Sequence, residues 1–109
     1  MCNFENEINF IKTELFTEFP IKGGYGKSFE DAVEFEAIAA KSFVQKEYQI
    51  VKLIGSLNNK DFRVRKQHLK FYNGKIYDIL HVVEIKGNNT VFFTELYFDI
   101  TACWNKKNA

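Results

Sequence analysis

From Tyr48 onward, Val, Ile, Phe and Tyr are concentrated in four runs: Tyr48 to Ser56, Phe62 to Tyr72, Ile76 to Lys86 and Val91 to Trp104. Asn58-Asn59-Lys60-Asp61, Asn73-Gly74 and Gly87-Asn88-Asn89 separate them. Runs of β-branched and aromatic residues bounded by Asn and Gly predict an antiparallel meander of four strands or more. Asn73-Gly74 is the clearest turn, because a type I′ hairpin needs positive φ at both central positions and this pair supplies it at least cost. A two-residue hairpin there sets Phe71 opposite Ile76 and Arg63 opposite Glu84.

Side chains alternate between the two faces of a strand, so each turn also predicts a face. With Asn88-Asn89 as the next turn, Tyr77, Ile79, His81, Val83 and Ile85 share a face with Phe92, Leu96, Phe98, Ile100 and Trp104. That nearly all-apolar face is the expected core side. Its reverse carries Asp78, Glu84, Glu95 and Asp99, but also Leu80, Val82, Val91, Phe93 and Tyr97. So much apolar surface calls for a cover, and the expected one is a second copy in a homodimer or another protein partner, held by those five residues.

The first 47 residues are less decided. Phe4, Ile8, Ile11 and Leu15 recur at helical spacing, while Ile11, Thr13, Leu15, Thr17 and Phe19 alternate as in a strand, so both assignments stay open. Pro20 to Gly26 is a loop by its three glycines in four positions. Ser28 with Asp31 matches a capping box, yet Val33, Phe35 and Ala37 alternate with Glu34 and Glu36, which leaves 29–36 open between helix and strand. Ala37 to Lys46 is predicted as the main helix on the propensity of its alanines. The expected fold class is α+β: an antiparallel sheet, a meander of four or more strands, packed with this helix on the face bearing Val83, Phe92 and Phe98.

Composition bounds this picture. The 109 residues suit a single domain over 1–109, and 46% hydrophobic residues with a net charge of +1 exclude wholesale disorder. No apolar run approaches the roughly 18 residues of a membrane span, so no membrane association is expected. The start of the chain shows no basic and apolar leader, which places the protein in the cytoplasm as an expectation. Cys2 and Cys103 are too few for a disulfide framework or a zinc ligand set, and both read as free thiols. Charge is uneven: residues 1–40 sum to −5, residues 41–75 to +7 and residues 76–109 to −1.

Four constellations bear on chemistry. Ile21 to Ser28 departs by one residue from a P-loop, which requires Gly where Ile21 stands. Lys22, Gly23, Gly24, Tyr25, Gly26 and Lys27 are therefore the candidates for an alternative role, a site for a small-molecule or phosphate-bearing ligand. Asp78 with Glu84-Ile85-Lys86 imitates a metal-dependent nuclease, but six residues of extended strand hold the carboxylates roughly 20 Å apart, too far to share an ion. Asp99, opposite Asp78, or Glu95 would have to contribute instead; no metal and no cofactor is expected. Phe62 to Tyr72 mixes cations with aromatics as nucleic-acid-binding strands do. Strict alternation, however, puts Arg63 and Arg65 on one face and Lys66, His68 and Lys70 on the other, and near-zero net charge adds no long-range attraction. Nucleic-acid binding through Arg63, Arg65, Lys66 and Lys70 is thus disfavoured. His81 is expected as a buried core histidine and His68 as a solvated one. No catalytic grouping emerges, and the expected function is a non-enzymatic self-associating or partner-binding module.

Pro20-Ile21-Lys22-Gly23-Gly24-Tyr25-Gly26, Glu30-Asp31-Ala32-Val33 and Gly74-Lys75 with Tyr77-Asp78 resemble a family of small bacterial proteins. That family has a Pro-x-Lys-Gly-Gly-aromatic-Gly loop, a Glu-Asp-Ala segment and a Gly-Lys-x-Tyr-Asp hairpin. The resemblance implies no activity and no catalytic residue. It does imply a strand over 29–36.

Overall fold

A computed structural model describes residues 4–107, with side chains as far as Trp104, so Cys2 lies outside the described residues. The elements are α1 (Glu5–Glu14), β1 (Ile21–Gly23), β2 (Val33–Phe35), a 3₁₀ turn (Ala37–Ala39), α2 (Phe43–Leu57), β3 (Asp61–Tyr72), β4 (Lys75–Lys86), β5 (Asn89–Asp99) and α3 (Thr101–Lys107). The class is α+β, with α2 as the main helix. Five strands form one sheet in the order β1-β2-β5-β4-β3. It is mixed, not a pure antiparallel meander: β2 runs parallel to β5, and every other pair is antiparallel.

The expected loop Pro20 to Gly26 contains strand β1, whose three residues pair with Val33–Phe35, and further segments differ from expectation. The Tyr48 to Ser56 run is helical, and the main helix begins at Phe43, after the 3₁₀ turn that occupies the start of the expected one. Phe43, Glu47, Ile50, Val51 and Ile54 are all buried and recur at helical spacing, so one stripe of α2 lies on the sheet. Burial of that stripe outweighs the β preference of its Ile and Val. Within 29–36 only Val33–Phe35 is strand, preceded by a bend and turn over 29–31. Asp31 N–H donates to Ser28 Oγ at 3.2 Å, but the Ser28 and Asp31 pair closes a turn before β2 instead of opening a helix.

The hairpin at Asn73-Gly74 has the expected register, Phe71 opposite Ile76. Both long pairings then shift. Arg65 is an extra residue between Val64, opposite Val82, and Lys66, opposite His81. Arg63 consequently faces Val83, not Glu84. On the other side Phe93 is the extra residue, between Phe92 opposite Val83 and Thr94 opposite Val82. The β4–β5 turn is Gly87-Asn88, since Lys86 pairs with Asn89.

These slips change which residues of β3 and β5 share a face with which residues of β4. Leu80, Val82, Leu96 and Phe98 lie in the core with Ile8 and Ile11 of α1, Ile50 and Ile54 of α2, and Cys103 of α3. Tyr77, Ile79, His81 and Val83 occupy the reverse face, as do their partners Tyr97, Glu95 and Phe92. One residue of slip turns every side chain over. The helices thus cover the face of β4 that the sequence assigns to solvent or a partner; Leu96 and Phe98 lie in the core as expected, while Val83 and Phe92, expected beside them, are on the face that carries no helix among the described residues. Ile100 and Trp104 lie beyond the end of β5, yet both join the core, Ile100 buried and Trp104 packed against it from α3.

Candidate binding face

The register at Arg65 governs the charge map. Because Arg65 is inserted, Arg63, Lys66, His68 and Lys70 stand opposite Val83, His81, Ile79 and Tyr77, which alternate along one face of β4. The cations that alternation would divide between two faces are therefore gathered on the helix-free one. A β-bulge is a common means of re-aiming side chains in this way. Arg63 is engaged locally: its Nε and Nη2 donate to Asp61 at 3.1 and 3.0 Å, and this pairing lowers the Asp61 pKa below its usual value. Arg65, Lys66 and Lys70 are exposed and form no ion pair among the described residues. β3 is also the outer strand of the sheet; Arg63 shares a cleft with Tyr48 and Lys52 of α2, whereas Lys66 and Lys70 are exposed.

Aromatic side chains share this face. Phe92 is 54% exposed, and its ring lies 4.4 Å from that of His81, which is half-buried rather than in the core. Toward the Asn73-Gly74 hairpin, Phe29 stacks on Tyr72 at 4.2 Å and meets Tyr77 and Tyr97 edge-on at 4.9 and 5.1 Å. Phe29 thus closes one end of the face, while the end at Phe92 stays uncovered.

The five residues expected at an interface are divided between the two faces. Leu80 and Val82 are buried under the helices and cannot meet a partner. Phe93 packs on Phe62 and Phe4 at 4.5 and 6.0 Å, so the N-terminal segment supplies its cover. Val91 is exposed, and Tyr97 is half-buried against Phe29 on the opposite face.

The glycine loop is built around Asp31. Tyr25 N–H and Lys27 N–H donate to its carboxylate at 3.2 and 3.3 Å, Gly26 N–H to its carbonyl at 2.6 Å, and Gly24 N–H to the Ala32 carbonyl at 2.9 Å. A side chain at Gly24 would sit 2.4 Å from the Asp31 carbonyl, so only glycine admits this approach. A phosphate cradle needs such amides free and converging; here the protein's own carboxylate takes them. Lys22 reaches Glu36 and Glu34 at 3.2 and 3.7 Å, contacts that raise its pKa, the Glu36 hydrogen bond most. Tyr25 bonds Asn9 and lies under Lys12, and Lys27 reaches Glu5 at 3.6 Å. Lys22, Tyr25 and Lys27 serve the fold, while Gly23 and Gly24 line a cleft of about 380 Å³ with Phe29, Glu30, Tyr72, Lys75, Tyr77 and Asp99. Tyr77 is pushed above its usual pKa, first by burial and then by the carboxylates of Asp99 and Glu30. Tyr72 is raised too, chiefly by its hydrogen bond to Glu30.

The nuclease-like constellation is dispersed. Asp78 pairs with Phe98 and Asp99 with Tyr77, so the two aspartates occupy opposite faces. Gln67 donates to Asp78 at 2.9 Å, and Thr101 and Lys75 hold Asp99. Glu84 contacts Lys60 and Lys86. Among the described residues no three His, Cys, Asp or Glu side chains come together as metal ligands, and no helix is long and apolar enough to cross a membrane. Cys103 is buried, and its Sγ donates to the Glu36 carbonyl at 3.4 Å.

No protein family, curated protein or solved structure matches this chain. Sequence reasoning missed Phe92 with His81 as surface partners and Asp31 as the anchor of the loop. Only Asp31 had a readable signal, since a carboxylate shortly after a glycine-rich turn readily bonds the turn's amides.

Proposed function

We propose that this protein is a non-enzymatic binding module that holds a polyanion on the helix-free face of its sheet. The observation that carries this reading is the bulge at Arg65, which sets Lys66, His68 and Lys70 on one side of the outer strand together with Arg63. Charge collected on one face acts locally even when the net charge is only +1. A second copy fits less well at this edge. Antiparallel pairing of β3 with itself centred on His68 would bring Lys66 of each copy against Lys70 of the other, and like charges opposite one another are destabilising. Among the described residues no cluster of His, Cys, Asp or Glu fit to hold a metal lies beside the row. The alternative of a phosphate-bearing ligand at the glycine loop is weakened because Asp31 and Ala32 take the loop's amides.

Fluorescence polarisation with labelled heparin tests the reading. Binding is expected to weaken steeply as salt rises and to fall at least about tenfold in a Lys66→Glu, Lys70→Glu variant, because two attractions become repulsions. Both positions are exposed, so the variant should fold. Absence of binding at low salt, or equal binding by the variant, would refute it.

A further inference from the structure

We infer that the polyanion is a single-stranded nucleic acid, with a base stacked on Phe92; the inference rests on the polyanion reading above and narrows it. Phe92 is a large apolar side chain left 54% exposed on the face that carries the cations. Nothing in the core needs it there. Its ring is braced by His81 at 4.4 Å, and His81 stands between Lys66 of β3 and the exposed Glu95 of β5, a carboxylate that Lys66 offsets across the sheet. Aromatic platform and cation are thus fixed to each other through one β4 residue. A sulfated sugar would use the cations but has no planar group for the ring. A nucleotide uses both, its phosphate on the basic strand and its base on the aromatic face.

The geometry also separates single from double strands. β3 and β5 are two strand spacings apart, about 10 Å, so cations and platform flank a strip one extended nucleotide strand can cross. In a duplex the faces of the bases are stacked inside and cannot reach Phe92. A major groove admits a helix or a two-stranded ribbon, whereas these strands belong to a wider sheet backed by helices. The shared chemistry is an unpaired base linked to phosphate, from RNA or from DNA.

Polarisation with a labelled dT oligonucleotide, an rU oligonucleotide of equal length, the matching duplex and heparin tests the inference on the full chain. The single strands are expected to bind more tightly than the duplex. Phe92→Ala should weaken single-strand binding about tenfold, the loss of one stacked base, and leave heparin binding unchanged. The ratio of rU to dT affinity then distinguishes an RNA from a DNA ligand. Unchanged oligonucleotide binding by Phe92→Ala, or duplex and heparin binding as tight as the single strand, would overturn the inference while the polyanion reading stood. Failure of every anion to bind would overturn both.

Discussion

His81 and Phe92 hold their rings 4.4 Å apart on the side of the sheet that no helix covers. The contact exists because Phe93, not Phe92, is the extra residue that turns toward Phe62 and Phe4. Two adjacent phenylalanines therefore have opposite environments, one in contact with the core and one in solvent.

That difference gives a direct test of the faces. Leu80→Ala should cost about 2–5 kcal/mol, because it empties volume in a closed core. Phe92→Ala should cost less than about 1 kcal/mol although it removes a larger side chain, as expected of an exposed position. Urea unfolding of the two variants measures both values, and the reverse order would restore the unslipped register.

Gly55 is buried near the end of α2, where an added Cβ would meet the Lys60 carbonyl at 2.8 Å and the Phe62 amide at 3.0 Å. In an open helix Gly→Ala stabilises by about 1 kcal/mol. Here Gly55→Ala should destabilise by about 1–3 kcal/mol, since backbone has to give way. A rise in melting temperature would show that the approach of β3 to α2 is looser.

Asp31→Ala withdraws the acceptor of the Tyr25 and Lys27 amides. The expected loss is about 1–3 kcal/mol in urea. Amide exchange at Tyr25 and Lys27 should accelerate more than exchange in β4. Uniform acceleration, or none, would mean that the carboxylate does not organise the loop.

Tyr77 carries a pH dependence of definite sign. Burial and the Asp99 carboxylate raise its folded-state pKa above the ordinary 10.0. The folded protein therefore holds this proton more tightly than the unfolded chain does. The contribution is complete below about pH 10 and is lost as pH rises from there through the raised value. Tyr77→Phe should flatten the alkaline fall of the urea midpoint, and an identical slope in the variant would place the titration elsewhere.

The existence and type of the long strands could be read locally. β3, β4 and β5 follow their Val, Ile, Phe and Tyr runs, and Asn73-Gly74 by itself sets Phe71 opposite Ile76, because turn geometry fixes the pairing nearest to it. Charge also had a local signature, in the excess over residues 41–75. Which face each residue joins was not readable. A face is a running count along the strand, and one inserted residue, Arg65 in β3 or Phe93 in β5, reverses all that follow. Neither residue differs from its neighbours in any way that marks a bulge. The helical state of 48–56 was likewise decided by the packing of Ile50, Val51 and Ile54 on the sheet, against their local preference for a strand. The sequence by itself determined the strands, the hairpin and the stock of cations; tertiary packing decided the faces, and so whether those cations are gathered or divided.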